Sequence, residues 1–216
     1  MEGLRQAANE RGMLLIFDEA QTAFGRIGYK TGAEFHGVTP DIISVSKTIG
    51  GGLPLAGIIT TDEIEETVYD KGFTFYTSHV SDPLLAYVGL AVLKVIQQNQ
   101  LIDRAQTMGD YLYKRLNDLQ QKYEVIGDVR GKGLLIGVEL VKDRESREPH
   151  HQLGEATTQL CFKKGLSMNI RRRKERGSVW RIAPPLTVSE NEIDQAIDIL
   201  DVSLAEGLDE IVNSES

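Results

Sequence analysis

A single cysteine, Cys161, rules out an intramolecular disulfide framework, and none of the four histidines joins it at a zinc-type spacing. That pattern suits a reducing, intracellular compartment. The expected location is the cytoplasm, or a mitochondrion if an upstream segment carries the address. No apolar run approaches the roughly 20 residues that span a bilayer, and residues 1–12 lack the apolar core of a signal peptide. Positive charge is scarce as well. The 24 lysines and arginines face 32 acidic residues, and the net charge of -8 opposes binding to nucleic acid or to an anionic membrane. Also missing is a G-x-x-x-x-G-K-[ST] loop, without which the apolar run ending in Asp18-Glu19-Ala20-Gln21 cannot serve a helicase-type ATPase.

What is present is enough apolar material for a core, 41% of 216 residues, arranged in short runs. Residues 13–17 form a continuous apolar run, the pattern of a strand buried on both faces, and it ends at Asp18. A second run, 41–45, ends at Ser46-Lys47, and a third covers 55–60. Runs of this kind, with functional groups at their C-terminal ends, predict an α/β sheet whose ligands sit beyond its carboxyl edge. Helical spacing follows over 83–98 and 101–123, as in Leu112, Leu116 and Leu119. Strands are then expected at 125–130, 134–141, 166–170 and 179–182, with a helix over 152–164. Ser189-Glu-Asn-Glu192 reads as a capping box that opens a terminal helix. The charge run 171–176 reads as a solvated loop or hairpin.

Asp18 and Lys47 are complementary in type and share the expected crevice. A lysine there can form a Schiff base with an aldehyde cofactor, and pyridoxal phosphate supplies such an aldehyde. Its electron sink requires a protonated ring nitrogen, for which Asp18 is the natural partner. Each residue also has a plainer reading. Lys47 can be a solvent-facing charge and Asp18 a strand-end cap; Gln21 can satisfy loop backbone. Ser78 and Asp82 can cap the helix near Pro83, and Arg181 can be a surface strand residue. The Gly50-Gly51-Gly52 run follows the lysine instead of preceding it, so it reads as backbone freedom beside Lys47 and not as a phosphate cradle.

Leu14-Leu-Ile-Phe-Asp-Glu-Ala-Gln-Thr-Ala-Phe-Gly-Arg-Ile-Gly28, Thr39-Pro-Asp41 and Ser44-Val-Ser-Lys-Thr-Ile-Gly-Gly-Gly-Leu-Pro54 resemble the signature region of the class III aminotransferases. Within that family the chain is most similar to the 2,2-dialkylglycine decarboxylase branch. The similarity rests on Phe75-Tyr-Thr-Ser-His-Val-Ser-Asp-Pro83, Gly127-Asp-Val-Arg-Gly131 and Arg181-Ile-Ala-Pro-Pro-Leu-Thr-Val-Ser189.

The resemblance implies the C-terminal half of a subunit of pyridoxal-phosphate fold type I. Residues 1–98 would be the later part of a large α/β domain with a mostly parallel sheet, 99–124 a connecting helix, and 125–216 an α+β small domain. It further implies that Lys47 bonds the cofactor and moves protons, that Asp18 pairs with the pyridinium nitrogen, and that Gln21 meets the phenolic oxygen. Ser78, where the family usually has threonine, would reach the cofactor phosphate of the neighbouring subunit in a homodimer. Arg181 would hold the substrate carboxylate. An alkali cation, potassium or sodium, would sit at Ser78, Val80 and Asp82. The implied reaction is amino-group transfer between small amino acids or amines and oxo acids. Its specific form is decarboxylation-dependent transamination of a 2,2-dialkylglycine with pyruvate. Another class III transaminase, or a non-catalytic fragment of one, is the alternative.

Overall fold

The computed structural model describes residues 1–170 and 177–215, so the charge run 171–176 lies outside the described residues. In chain order the elements are α1 (Glu2–Glu10), β1 (Ile16–Asp18), α2 (Gly32–His36), β2 (Ile42–Val45), a 3-10 turn (Lys47–Gly50), β3 (Gly57–Thr60), α3 (Asp62–Asp70), α4 (Pro83–Gln98) and α5 (Leu101–Lys122). Then come β4 (Ile126–Lys132), β5 (Leu135–Leu140), α6 (His151–Lys163), β6 (Asn169–Ile170), β7 (Ser178–Ile182) and α7 (Glu190–Glu215). They form two compact units, Met1–Asp103 and Arg104–Ser216. The division falls inside α5, the helix that the sequence reading sets apart as a connector.

The first unit carries a three-stranded sheet in the order β1-β2-β3, in which β1 and β2 are parallel and β2 and β3 antiparallel. Because side chains alternate along a strand, Phe17 and Ile43 share one face. That face makes the core with Ala33 and Val38. The other face carries Ile16, Asp18, Ser44 and Ile58 in matching register. It is open: Ile16 is 58% and Ile58 65% exposed. The expectation of a strand buried on both faces is therefore corrected. The apolar run continues on both sides of β1, but residues of this unit cover only the Phe17 side. Helix starts follow local rules. Thr31 accepts from Glu34 N at 3.0 Å to open α2, and Thr61 from Ile64 N at 3.4 Å to open α3.

The second unit has an antiparallel sheet in the order β4-β5-β7-β6. Alternation along β5 buries Ile136, Val138 and Leu140, and α6 packs on β5, β6 and β7 with α7 behind it. Trp180 is fully buried, its indole N–H donating to Thr158 Oγ1 at 2.9 Å. The capping box is present: Ser189 N donates to Glu192 Oε2 at 2.8 Å, and Glu192 N to Ser189 Oγ at 3.3 Å. The strand expected over 166–170 shortens to two residues, because only Asn169 and Ile170 find partners on β7. His150 caps α6 by accepting from Leu153 N at 3.4 Å.

Candidate active site

Two parallel strands end side by side where the first unit's sheet stops. β1 ends at Asp18, which is the register partner of Ser44 on β2, and Lys47 follows β2 after Val45 and Ser46. Lys47 has φ 55°, a left-handed backbone that is uncommon for a residue with a long side chain. Such a conformation costs energy and persists where surrounding structure enforces it. α4 packs on this turn, and Gly89 permits the close approach, since a Cβ there would stand 2.7 Å from Leu55 and 3.5 Å from Ile49 within the turn. Lys47 itself is exposed.

The Asp18 carboxylate is fixed through one oxygen. Oδ1 accepts from Ala20 N at 3.1 Å and from Ser44 Oγ at 3.0 Å. The Ala20 amide first, then the Ser44 hydroxyl, hold this carboxyl below the ordinary aspartate value against the opposing effect of desolvation, and the Lys47 charge adds the least, in the same downward direction. Oδ2 has no partner among the described residues. Gln21 is half-buried in the turn that follows, and its side chain has no hydrogen-bond partner among the described residues either.

Beside these strand ends lies a cavity of about 650 Å³, lined by Ala20, Ser44, Ser46, Phe75, Val80 and Asp82 among others. Ser78 is exposed and is not among its lining residues. Asp82 is the N-cap of α4: Oδ1 accepts from Leu84 N at 3.0 Å, while Oδ2 is 3.4 Å from His79 Nδ1. The capping reading of Asp82 is thus realised in the fold. Among the described residues, no group of three or more His, Cys, Asp or Glu could hold a metal ion.

Arg181 belongs to the second unit. On β7 it is paired in register with Gly137 on β5 and Asn169 on β6. It lines a cavity of about 590 Å³ walled by Met168, Pro184, Pro185 and Ile193 among others. Its guanidinium has no ion-pair partner among the described residues. In this it differs from Arg115 and Arg130, which pair with Asp194 and with Asp128 and Glu139.

A family profile described as Aminotransferase class-III matches residues 1–204. The chain belongs to that family. Class III aminotransferases depend on pyridoxal phosphate. An uncharacterized aminotransferase of Schizosaccharomyces pombe is 45% identical over 204 residues, covering 94% of this chain and 46% of the relative. A leucine/methionine racemase of Thermococcus litoralis is 37% identical over 94% of this chain and 44% of its own length. Among solved structures, a Bacillus anthracis aminotransferase superposes with a TM-score of 0.91 at 32% identity, covering 95% of this chain and 48% of that one. The chain therefore spans about half the length of the relatives it matches. Their names cover several reactions, since alanine–glyoxylate aminotransferases and an ethanolamine-phosphate phospho-lyase homologue match as well. The particular closeness to the decarboxylase branch is not among these findings; class III membership is.

The donor set fits the ring end of the family's cofactor. One free carboxylate oxygen on Asp18, a nearby amine on Lys47 and an unengaged amide on Gln21 match a protonated ring nitrogen, an aldehyde and a phenolic oxygen. Two further residues escaped the sequence reading. Ser44 was legible only as the one hydroxyl in the apolar run Ile42-Ile43-Ser44-Val45. Glu19 is buried, accepts from Ala33 N at 2.8 Å and from Thr22 Oγ1, and ties the loop after β1 to the start of α2. Gly32 keeps that place open, since a Cβ there would stand 3.0 Å from Glu19 Oε1.

Proposed function

We propose that this chain carries the lysine-bearing part of a pyridoxal-phosphate enzyme that moves amino groups between small amino acids or amines and oxo acids. The reading rests on one observation above the others: Asp18 and Lys47 stand at the ends of adjacent parallel strands, with the lysine in a left-handed backbone. When bound, pyridoxal phosphate supplies the electron sink for bonds at the substrate's α-carbon. Asp18, ionised at neutral pH, keeps a proton on the ring nitrogen through its free oxygen. Lys47 would hold the cofactor through its amine, and that amine is also the group placed to move the proton at the substrate's α-carbon. Gln21 hydrogen-bonds the phenolic oxygen, and Ser78 contributes a hydroxyl to the phosphate of a partner subunit in a homodimer. Arg181 receives the substrate carboxylate. The expected compartment is the cytoplasm.

In its specific form the reaction is decarboxylation of a 2,2-dialkylglycine coupled to amination of pyruvate, with potassium or sodium at Ser78, Val80 and Asp82. What supports that form is the resemblance of 75–83 and 181–189 to the decarboxylase branch. Simple transamination is the second reading, favoured by the relatives named as alanine–glyoxylate aminotransferases. Supplying the protein with pyridoxal phosphate, 2-aminoisobutyrate and pyruvate separates them. Release of carbon dioxide with acetone and alanine, faster in potassium than in sodium, is the expected result. Transfer from other amino donors without carbon dioxide moves the assignment to simple transamination. Cofactor bound at Lys47 with no turnover of either kind supports a non-catalytic fragment.

A further inference from the structure

We infer that Ser44 is a positioning residue for Asp18: its hydroxyl commits one carboxylate oxygen and thereby aims the other at the cofactor ring. The inference rests on the proposed role of Asp18 and goes beyond it by naming what sets that carboxylate's rotation. Asp18 and Ser44 are register partners in a parallel pair, so their side chains leave the sheet on the same face as cross-strand neighbours. The Ser44 hydroxyl donates to Oδ1 at 3.0 Å, and the Ala20 amide donates to the same oxygen at 3.1 Å. Two donors on one oxygen hold the carboxylate in this orientation, with Oδ2 free of any hydrogen-bond partner among the described residues. The Ala20 bond is local, spanning two residues, and it moves with the loop. The Ser44 bond spans 26 residues and ties the carboxylate to the neighbouring strand. Ser44 is itself anchored, since its carbonyl accepts from Glu19 N at 2.9 Å, and it lines the cavity beside the strand ends.

Chemistry gives the hydroxyl a second effect. A hydrogen bond to the ionised form favours that form, so Ser44 helps keep Asp18 charged, as the Ala20 amide and the Lys47 charge also do. A charged, correctly rotated carboxylate is what a pyridinium N–H requires. A serine that was only a polar filler between Ile43 and Val45 would have neither effect.

The test compares wild type, Ser44→Ala and Ser44→Thr in the full chain. In cofactor-free protein, the Asp18 carboxyl carbon is titrated by NMR. Its midpoint is expected to rise in Ser44→Ala, while staying below the ordinary aspartate value because the Ala20 amide and Lys47 remain. It is expected to return in Ser44→Thr, which keeps the hydroxyl and suits a strand. With pyridoxal phosphate added, Ser44→Ala is expected to bind about tenfold more weakly, the scale of one lost charge-assisted hydrogen bond. The pH dependence of the bound cofactor's absorbance is expected to shift with it, and Ser44→Thr to restore both. Borohydride trapping at Lys47 runs in parallel as the check on the underlying reading. If wild type is trapped at Lys47 while Ser44→Ala titrates, binds and absorbs as wild type does, the positioning role is overturned. If wild type is not trapped at Lys47, the cofactor reading itself fails, and the NMR titration still decides whether Ser44 holds Asp18. A Ser44→Ala chain that loses its folded amide spectrum would leave Ser44→Thr to decide, and a threonine variant whose Asp18 titration departs from that of wild type would count against the role.

Discussion

Arg5 Nη1 lies 2.7 Å from Asp41 Oδ2, joining α1 to the strand that leads to Lys47. The same carboxylate oxygen accepts from Leu15 N at 2.6 Å, and Asp41 N donates to Leu15 O at 2.9 Å. Asp41 thus clamps the entries of β1 and β2 together, which gives the aspartate of Thr39-Pro40-Asp41 a structural task.

Asp41→Asn should lower the stability of the first unit by about 1–2 kcal/mol, as for a lost hydrogen bond to a charged group that is partly exposed. The Leu15 amide, and after it Arg5, depress the Asp41 carboxyl below its ordinary value. A depressed carboxyl contributes its stability in full above the unfolded value, about 3.9, and loses it as pH falls through the folded value. The urea midpoints of wild type and variant should therefore differ at neutral pH and converge below about pH 4. A gap that stayed constant down to pH 2 would contradict the ionic part of this account.

Gly109→Ala should destabilise the second unit. Gly109 faces the Gly133 turn between β4 and β5 so closely that a Cβ would collide with Gly133 backbone, which cannot move aside as a side chain can. Overpacking of this kind costs about 1–3 kcal/mol. Trp180 is the only tryptophan and is buried in this unit, so its fluorescence reports the loss directly in a thermal melt. An unchanged melting temperature would show that the turn yields.

Lys47→Ala should abolish attachment of pyridoxyl when protein incubated with pyridoxal phosphate is reduced with borohydride. Peptide mapping of the wild type should find the label on Lys47. A label on Lys71 instead, unaffected by the Lys47 substitution, would refute the assignment.

Asp82→Asn and Asp82→Ala should part company. Asparagine caps helices about as well as aspartate, whereas alanine forfeits roughly 1 kcal/mol. The start of α4, where Asp82 Oδ1 accepts from Leu84 N, should therefore survive in the first and fray in the second by hydrogen exchange. If the carboxylate also serves a cation, the asparagine variant should lose the preference for potassium while its stability holds. Equal potassium response in wild type and Asp82→Asn would restrict Asp82 to capping.

Much of this protein was legible without coordinates, for a physical reason: caps, turns and apolar periods are local. Ser189 and Glu192 announced the start of α7 because both halves of a capping box lie within four residues. The runs ending at Asp18 and Lys47 likewise declared strands with functional groups at their ends, and the family resemblance named the chemistry. What the sequence could not hold was anything that depends on register between distant segments. Only pairing of β1 with β2 brought Ser44 opposite Asp18 across 26 residues, and only tertiary packing brought α4 through Gly89 onto the turn that begins at Lys47. Burial was the other tertiary decision. The run 13–17 is apolar throughout, yet Phe17 is buried and Ile16 exposed, because a strand's composition does not say which of its faces the rest of the fold will cover.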